Sequence, residues 1–112
     1  LYELFYQEIY NLFRIIRLFI DVGIHYYTWD FNKAYTFYNK YLEFDSSFIK
    51  EEIIRCISTP GQLLSYKIGQ LLISEYKDKF LKKNSNIKDF HKLILDIGPC
   101  PLDILMDELK KN

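Results

Sequence analysis

A chain of 112 residues provides one domain or less, with enough surface to bury for a single hydrophobic core. Its 15 basic and 15 acidic residues cancel, so charge gives no reason to expect a nucleic-acid or anionic-membrane partner. The apolar opening stretch carries too many charged residues for a membrane span, and no targeting segment is recognisable, which slightly favours a cytoplasmic location.

Helical periodicity dominates the sequence, and no stretch alternates like a strand. We therefore expect an all-α fold of five to six helices. The first should run from Tyr2 to Val22 and end at Gly23. Asp30 should cap a second helix, and Asp45 with the two serines after it should cap a third that stops at Ser58.

The second half of the chain predicts three further helices. Thr59 and Gln62 match a capping box around Pro60, so a fourth helix is expected from Pro60 to about Lys82. A turn at Asn84-Ser85-Asn86 should separate it from a fifth helix. The remaining predicted helices are Ile87 to Asp96, ended by Gly98, and Leu102 to Leu109.

Two glycines in the fourth predicted helix work against it. Gly61 and Gly69 each cost up to about 1 kcal/mol relative to alanine in a helix interior. An ordinary surface helix has no use for them, so we expect backbone here to approach another group closely.

Arg17, Asp21 and His25 recur every four residues, which places them on one helix face if the first helix extends that far. The Asp21 carboxylate could pair with the guanidinium and orient the imidazole. This spacing also suits a buried polar network without a chemical role. Both interpretations predict one connected cluster.

Tyr66 and Lys67 follow the glycine-containing turn. A tyrosine hydroxyl can donate a hydrogen bond to an oxyanion, and a lysine can bind a carboxylate as a point charge. The alternatives are a core aromatic and an ordinary exposed lysine. His91 begins a short helix and is best explained as a structural residue.

The chain offers no complete metal site. His25 and His91 are its two imidazoles, and no Asp, Glu or Cys cluster at ligand spacing accompanies them. Cys56 and Cys100 lie far apart without a C-x-x-C spacing, so both are expected to be free, buried thiols. We therefore assign no metal ligand and no cofactor to this chain.

Several motifs follow one another in a recognisable order. The chain contains Arg17-Leu18, Asp21, Gly23-Ile24-His25, Trp29, Pro60-Gly61-Gln62, Tyr66-Lys67, Gly69, Phe90-His91, Gly98 and Pro101-Leu102. This order and spacing resemble the C-terminal part of the domain-of-unknown-function 885 (DUF885) family, over nearly the whole chain.

The resemblance implies a fold and an activity that composition alone does not. Members look like gluzincin-type zinc metallopeptidases, whose H-E-x-x-H helix and downstream glutamate lie before the region matched here. The chain would then be a single helical segment, 1–112, of a longer, mostly helical domain. Zinc-activated water would attack a peptide-like amide in the full-length protein, while this segment alone would be inactive.

The resemblance also implies roles for individual residues. His25 and Tyr66 would contact the substrate or the developing oxyanion, facing a common cavity that the missing N-terminal part closes. Arg17, Asp21, Gln62 and Lys67 would bind substrate or position those two. The alternatives are a non-catalytic helical interaction domain and an inactive relative that retains the scaffold.

Overall fold

The computed structural model describes residues 1–83 and 86–111. Within them the chain forms six α-helices and no strand, which confirms the all-α prediction. The predicted turn at Asn84 and Ser85 lies outside the described residues. The helices are α1 (Tyr2–His25), α2 (Phe31–Tyr41), α3 (Ser46–Ser58), α4 (Gln62–Lys83), α5 (Ile87–Ile97) and α6 (Leu102–Lys110).

The chain divides into two compact units, with the boundary inside α4 between Ile68 and Gly69. In the first unit α1, α2 and α3 each pack against the other two. Apolar residues at helical spacing on these three helices, joined by one residue of α4, form its core. That core comprises Phe13, Ile16, Ile20, Ala34, Tyr38, Ile49, Ile53, Cys56 and Leu63.

The helix α1 extends three residues beyond the predicted end at Val22, so that Gly23 lies inside it. A Cβ atom on Gly23 would lie 2.4 Å from Cε3 of Trp29, far inside van der Waals contact. The Trp29 backbone N–H also donates to the Gly23 carbonyl oxygen at 2.9 Å. Gly23 therefore admits the indole ring and does not terminate the helix.

Two of the predicted caps are confirmed. The Asp30 carboxylate accepts a hydrogen bond from the backbone N–H of Lys33 at 2.7 Å. At the start of α3, the Asp45 carboxylate accepts from the backbone N–H of Ser47 at 2.8 Å. These contacts satisfy backbone donors that have no partner inside the helix.

The predicted Thr59 cap is wrong. Thr59 closes the end of α3, where its hydroxyl donates to the Arg55 carbonyl oxygen at 2.8 Å, and α4 begins only at Gln62. The expected close approach is present at Gly61, whose backbone N–H lies 3.0 Å from an Asp21 carboxylate oxygen, but a Cβ built on Gly61 or Gly69 would meet no neighbouring group of the described residues within 4 Å. Gly61 instead has φ +80°, a conformation that glycine adopts without strain.

The second unit contains the rest of α4 together with α5 and α6, which pack against each other. The Phe80 and Phe90 rings lie 5.6 Å apart, centroid to centroid. Gly98 ends α5 with φ +73°, as its position in the sequence predicts. Among residues 1–83 and 86–111, none of the helices is long and apolar enough to cross a membrane.

Candidate functional site

Asp21 of α1 caps the first turn of α4. Its Oδ1 accepts a hydrogen bond from the Gly61 backbone N–H at 3.0 Å, and its Oδ2 accepts from the Leu64 backbone N–H at 3.2 Å. The side chain is only 1% exposed. A carboxylate is well placed at a helix N-terminus, where backbone donors and the helix dipole both favour negative charge.

His25 lies one helical turn beyond Asp21. Its Nε2 is 3.0 Å from the Cys56 carbonyl oxygen and 3.8 Å from Asp21 Oδ1. The imidazole therefore links the end of α1 to α3 through backbone, beside the capping carboxylate. The expected association of Asp21 with His25 is present.

The expected pairing of Arg17 with Asp21 is wrong. Arg17 Nε donates to Glu52 Oε2 at 2.7 Å, and Asp21 is occupied by the backbone of α4. Glu52 is 7% exposed, and its Oε2 lies 3.4 Å from the donating Tyr38 hydroxyl. The cluster is thus two neighbouring polar groups, one centred on Asp21 and one on Glu52.

Sequence reasoning missed Glu52, although a signal was present. The buried residues of α3 include Ile49, Ile53 and Cys56, and Glu52 falls on the same stripe at i+3. A carboxylate on a buried stripe requires a cationic partner, because an unpaired buried charge is very costly. That requirement points to an arginine on a neighbouring helix.

The surroundings of Glu52 shift the pKa of two of its partners, Arg17 and Tyr38. Burial disfavours the charged form of Arg17, but the hydrogen bond and the charge of Glu52 outweigh burial and raise the pKa of Arg17 above its ordinary value. Burial, reinforced by the Glu52 charge, raises the pKa of Tyr38. Arg17 is therefore a permanent cation and Tyr38 a neutral hydrogen-bond donor.

A second chain of hydrogen bonds leads to Tyr66. Arg55 Nη2 donates to Gln62 Oε1 at 3.0 Å, and Gln62 Nε2 donates to the Tyr66 hydroxyl oxygen at 3.1 Å. Because that oxygen accepts from the amide, its own proton remains available for another acceptor. Gln62 and Tyr66 lie one turn apart on α4, so the helix itself fixes this geometry.

Tyr66 lines a cavity of about 710 Å³ that lies wholly within the first unit. This volume is in the range of small-molecule sites. Guanidinium groups and aromatic rings make up most of its wall. The lining residues are Tyr6, Ile9, Tyr10, Phe13, Arg14, Arg17, Phe44, Phe48, Arg55 and Tyr66.

The cavity that Tyr66 lines does not have His25 on its wall, contrary to the expectation of a shared cavity. Lys67 is not the ordinary exposed lysine that was the alternative to a binding role. It is 9% exposed, and its Nζ donates to Asn11 Oδ1 on α1 at 2.6 Å. His91 lies in the second unit, where its ring is 6.1 Å from that of Phe90.

The structure brings together three candidate metal donors that the sequence spacing did not reveal. One carboxylate oxygen of Asp21, one ring nitrogen of His25 and Sγ of Cys56 lie within 4.8 Å of one another. However, both Asp21 oxygens cap α4 and His25 Nε2 contacts a carbonyl. Burial, with the nearby carboxylates Asp21 and Glu52, raises the pKa of Cys56 to about 12. Asp21 and His25 thus already have structural roles, and zinc would have to displace the proton of the Cys56 thiol to bind there.

The family described as "Bacterial protein of unknown function (DUF885)" matches residues 1–109. No curated protein and no solved structure matches the chain.

Proposed function

Because this chain belongs to the DUF885 family, we propose that it forms one wall of the active-site cleft of a zinc-dependent, metallopeptidase-like hydrolase and supplies none of the metal ligands. The resemblance implies that an N-terminal part of the same protein carries the H-E-x-x-H helix and closes the cleft. In support of this division of roles, Asp21 and His25 already serve the fold, one as the cap of α4 and the other as a partner of the Cys56 carbonyl oxygen.

The observation that carries the proposal is that Tyr66 lines the cavity while its hydroxyl oxygen accepts a hydrogen bond from Gln62. Gln62 occupies one acceptor position of that oxygen, and the Arg55 charge polarises the amide from behind. The hydroxyl proton can then be donated to an oxyanion that develops on a substrate carbonyl. Such a bond strengthens as charge builds up, which lowers the barrier to reaction.

Three further predicted site residues take positioning roles in this proposal. Asp21 fixes the start of α4, and Gln62 orients the hydroxyl four residues into that helix. Arg17 presents positive charge to the cavity while Glu52 holds it in place. The oxyanion-binding role of His25 stays a prediction, and so does substrate binding by Lys67.

The proposal is tested with the full-length protein. We expect it to retain stoichiometric zinc and to hydrolyse unstructured peptides, with activity lost to a chelator and restored by zinc. The isolated 112-residue chain should retain no zinc through dialysis against a weak chelator and should cleave nothing. Zinc retained by the isolated chain, or a zinc-free and inactive full-length protein, would contradict the proposal.

A non-catalytic interaction domain is the second candidate, and one observation favours it. Leu1 and the first part of α1 expose large apolar side chains. More than half of the surface of each is accessible: Leu1, Tyr2, Leu4, Phe5, Tyr6 and Tyr10. Such a surface is typical of a protein contact. A full-length sequence without an H-E-x-x-H motif, combined with no hydrolysis, would favour this candidate or an inactive relative that retains the scaffold.

A further inference from the structure

We infer that the cavity beside Tyr66 binds the C-terminal carboxylate of a peptide-like ligand whose last side chain is aromatic, with Arg14 as the carboxylate-binding residue. This inference rests on the proposed function and names its substrate class. It depends on charge and shape at the cavity wall, and its test uses binding alone.

The charge at the cavity favours an anion. Arg14, Arg17 and Arg55 line it, and no carboxylate is on its described wall. Glu52 lies behind this wall, 2.7 Å from Arg17 Nε and 3.6 Å from Arg55 Nη1. One carboxylate is thus shared between two of the three guanidiniums, so the cavity keeps a surplus of positive charge.

Arg14 is the cation available to a ligand. Arg17 is engaged by Glu52 and lies 4.1 Å from the centre of the Phe13 ring, while Arg55 is held by Glu52 and Gln62. Among the described residues Arg14 has no ion pair, although it is exposed at the same wall. A guanidinium binds a carboxylate through two parallel hydrogen bonds, which fits this position.

The aromatic part of the cavity wall favours an aromatic side chain next to the ligand carboxylate. The rings of Phe13, Phe44 and Phe48 form a mutual cluster, with centroid distances of 5.5, 5.9 and 5.0 Å. All three line the cavity, and Phe48 is 37% exposed. An aromatic side chain packing there would gain both buried apolar area and ring contacts.

The inference is tested by calorimetry with the full-length protein and three probes: N-acetyl-L-phenylalanine, its amide, and N-acetylglycine. We expect the aromatic acid to bind about tenfold more tightly than either other probe, as one added charge-assisted contact or one buried ring allows. Arg14→Gln should remove the preference for the acid over the amide. Phe48→Ala should remove the preference for the aromatic acid over N-acetylglycine.

Lys50→Gln is the matched control, since Lys50 is an exposed cation of α3 that does not line the cavity. Its affinities should equal those of the wild type. Equal wild-type affinity for acid and amide, or a preference that survives Arg14→Gln, would overturn the inference even if the protein hydrolyses peptides. Acid-selective binding that depends on Arg14, in a protein without hydrolysis, would sustain the inference and contradict the proposed function.

Discussion

The Asp21 carboxylate accepts a hydrogen bond at 3.0 Å from the backbone N–H of Gly61, which lies 40 residues further along the chain. The contact fixes where α4 begins, and α4 carries both Gln62 and Tyr66. A motif residue on α1 thereby sets the position of the proposed oxyanion donor. Under the proposed function, Asp21 therefore affects both the stability of the fold and the position of Tyr66.

Asp21→Ala should destabilise the fold by about 3 kcal/mol, because α4 loses its cap and two partly buried backbone N–H groups lose their acceptors. Asp21→Asn should cost less, because one side-chain oxygen remains to accept. Urea denaturation measures both. Glu43→Ala, at an exposed residue, is the control and should lie within about 0.5 kcal/mol of the wild type. An Asp21→Ala variant as stable as that control would refute the capping role.

Gly23→Ala and Gly69→Ala should change stability in opposite directions. The first places a methyl group against the Trp29 ring and should cost about 1–3 kcal/mol or more. The second adds a methyl group in open space within α4 and should stabilise by up to about 1 kcal/mol. Thermal or urea unfolding distinguishes them. A Gly69→Ala variant less stable than the wild type would mean that another group approaches this glycine.

The Arg17–Glu52 pair should show strong coupling in a double-mutant cycle. Glu52→Gln leaves the largely buried Arg17 cation without its counter-charge, so the single variant should lose about 3 kcal/mol or more. Arg17→Met in the same background should add little further loss, giving a coupling energy of about 1–3 kcal/mol. The exposed Lys79–Glu75 pair is the control and should show little or no coupling, because solvent screens it. Simple additivity at Arg17 and Glu52 would contradict a buried pair.

The Cys56 thiol should make the fold sensitive to alkali. Its pKa is raised from an ordinary 9.0 to about 12, so the folded state keeps a proton that the unfolded state releases in this interval. The associated stability is fully present below about pH 9 and is lost as the pH rises toward about 12. Under reducing conditions, the free energy of unfolding should fall more steeply above about pH 9 in the wild type than in Cys56→Ala. Parallel pH dependences would contradict a buried, protonated thiol.

Sequence periodicity was sufficient to predict the six helices, because apolar spacing and local caps such as Asp30 and Asp45 act within a few residues. The start of α4 was predicted two residues too early. The true cap, Asp21, is remote in sequence, and Thr59 offered a plausible local substitute that instead closes α3.

The candidate site was predicted only in part, again because contacts between residues on different helices leave no local signal in the sequence. Helical spacing correctly associated Asp21 with His25 but could not reveal that Glu52 on α3 engages Arg17. The cavity itself could not be predicted. It depends on how Phe44 and Phe48, around the start of α3, approach α1, and no motif encodes that approach.

The most direct test of the central claim is the steady-state kinetics of Tyr66→Phe in the full-length protein, with Tyr41→Phe as the control outside the cavity. Loss of an oxyanion donor should lower kcat roughly 100-fold and leave KM nearly unchanged, because the bond is made mainly in the transition state. Zinc content should match the wild type, and Tyr41→Phe should keep full activity. An unchanged kcat in Tyr66→Phe, or an increase in KM alone, would contradict the assignment of Tyr66 as the oxyanion donor.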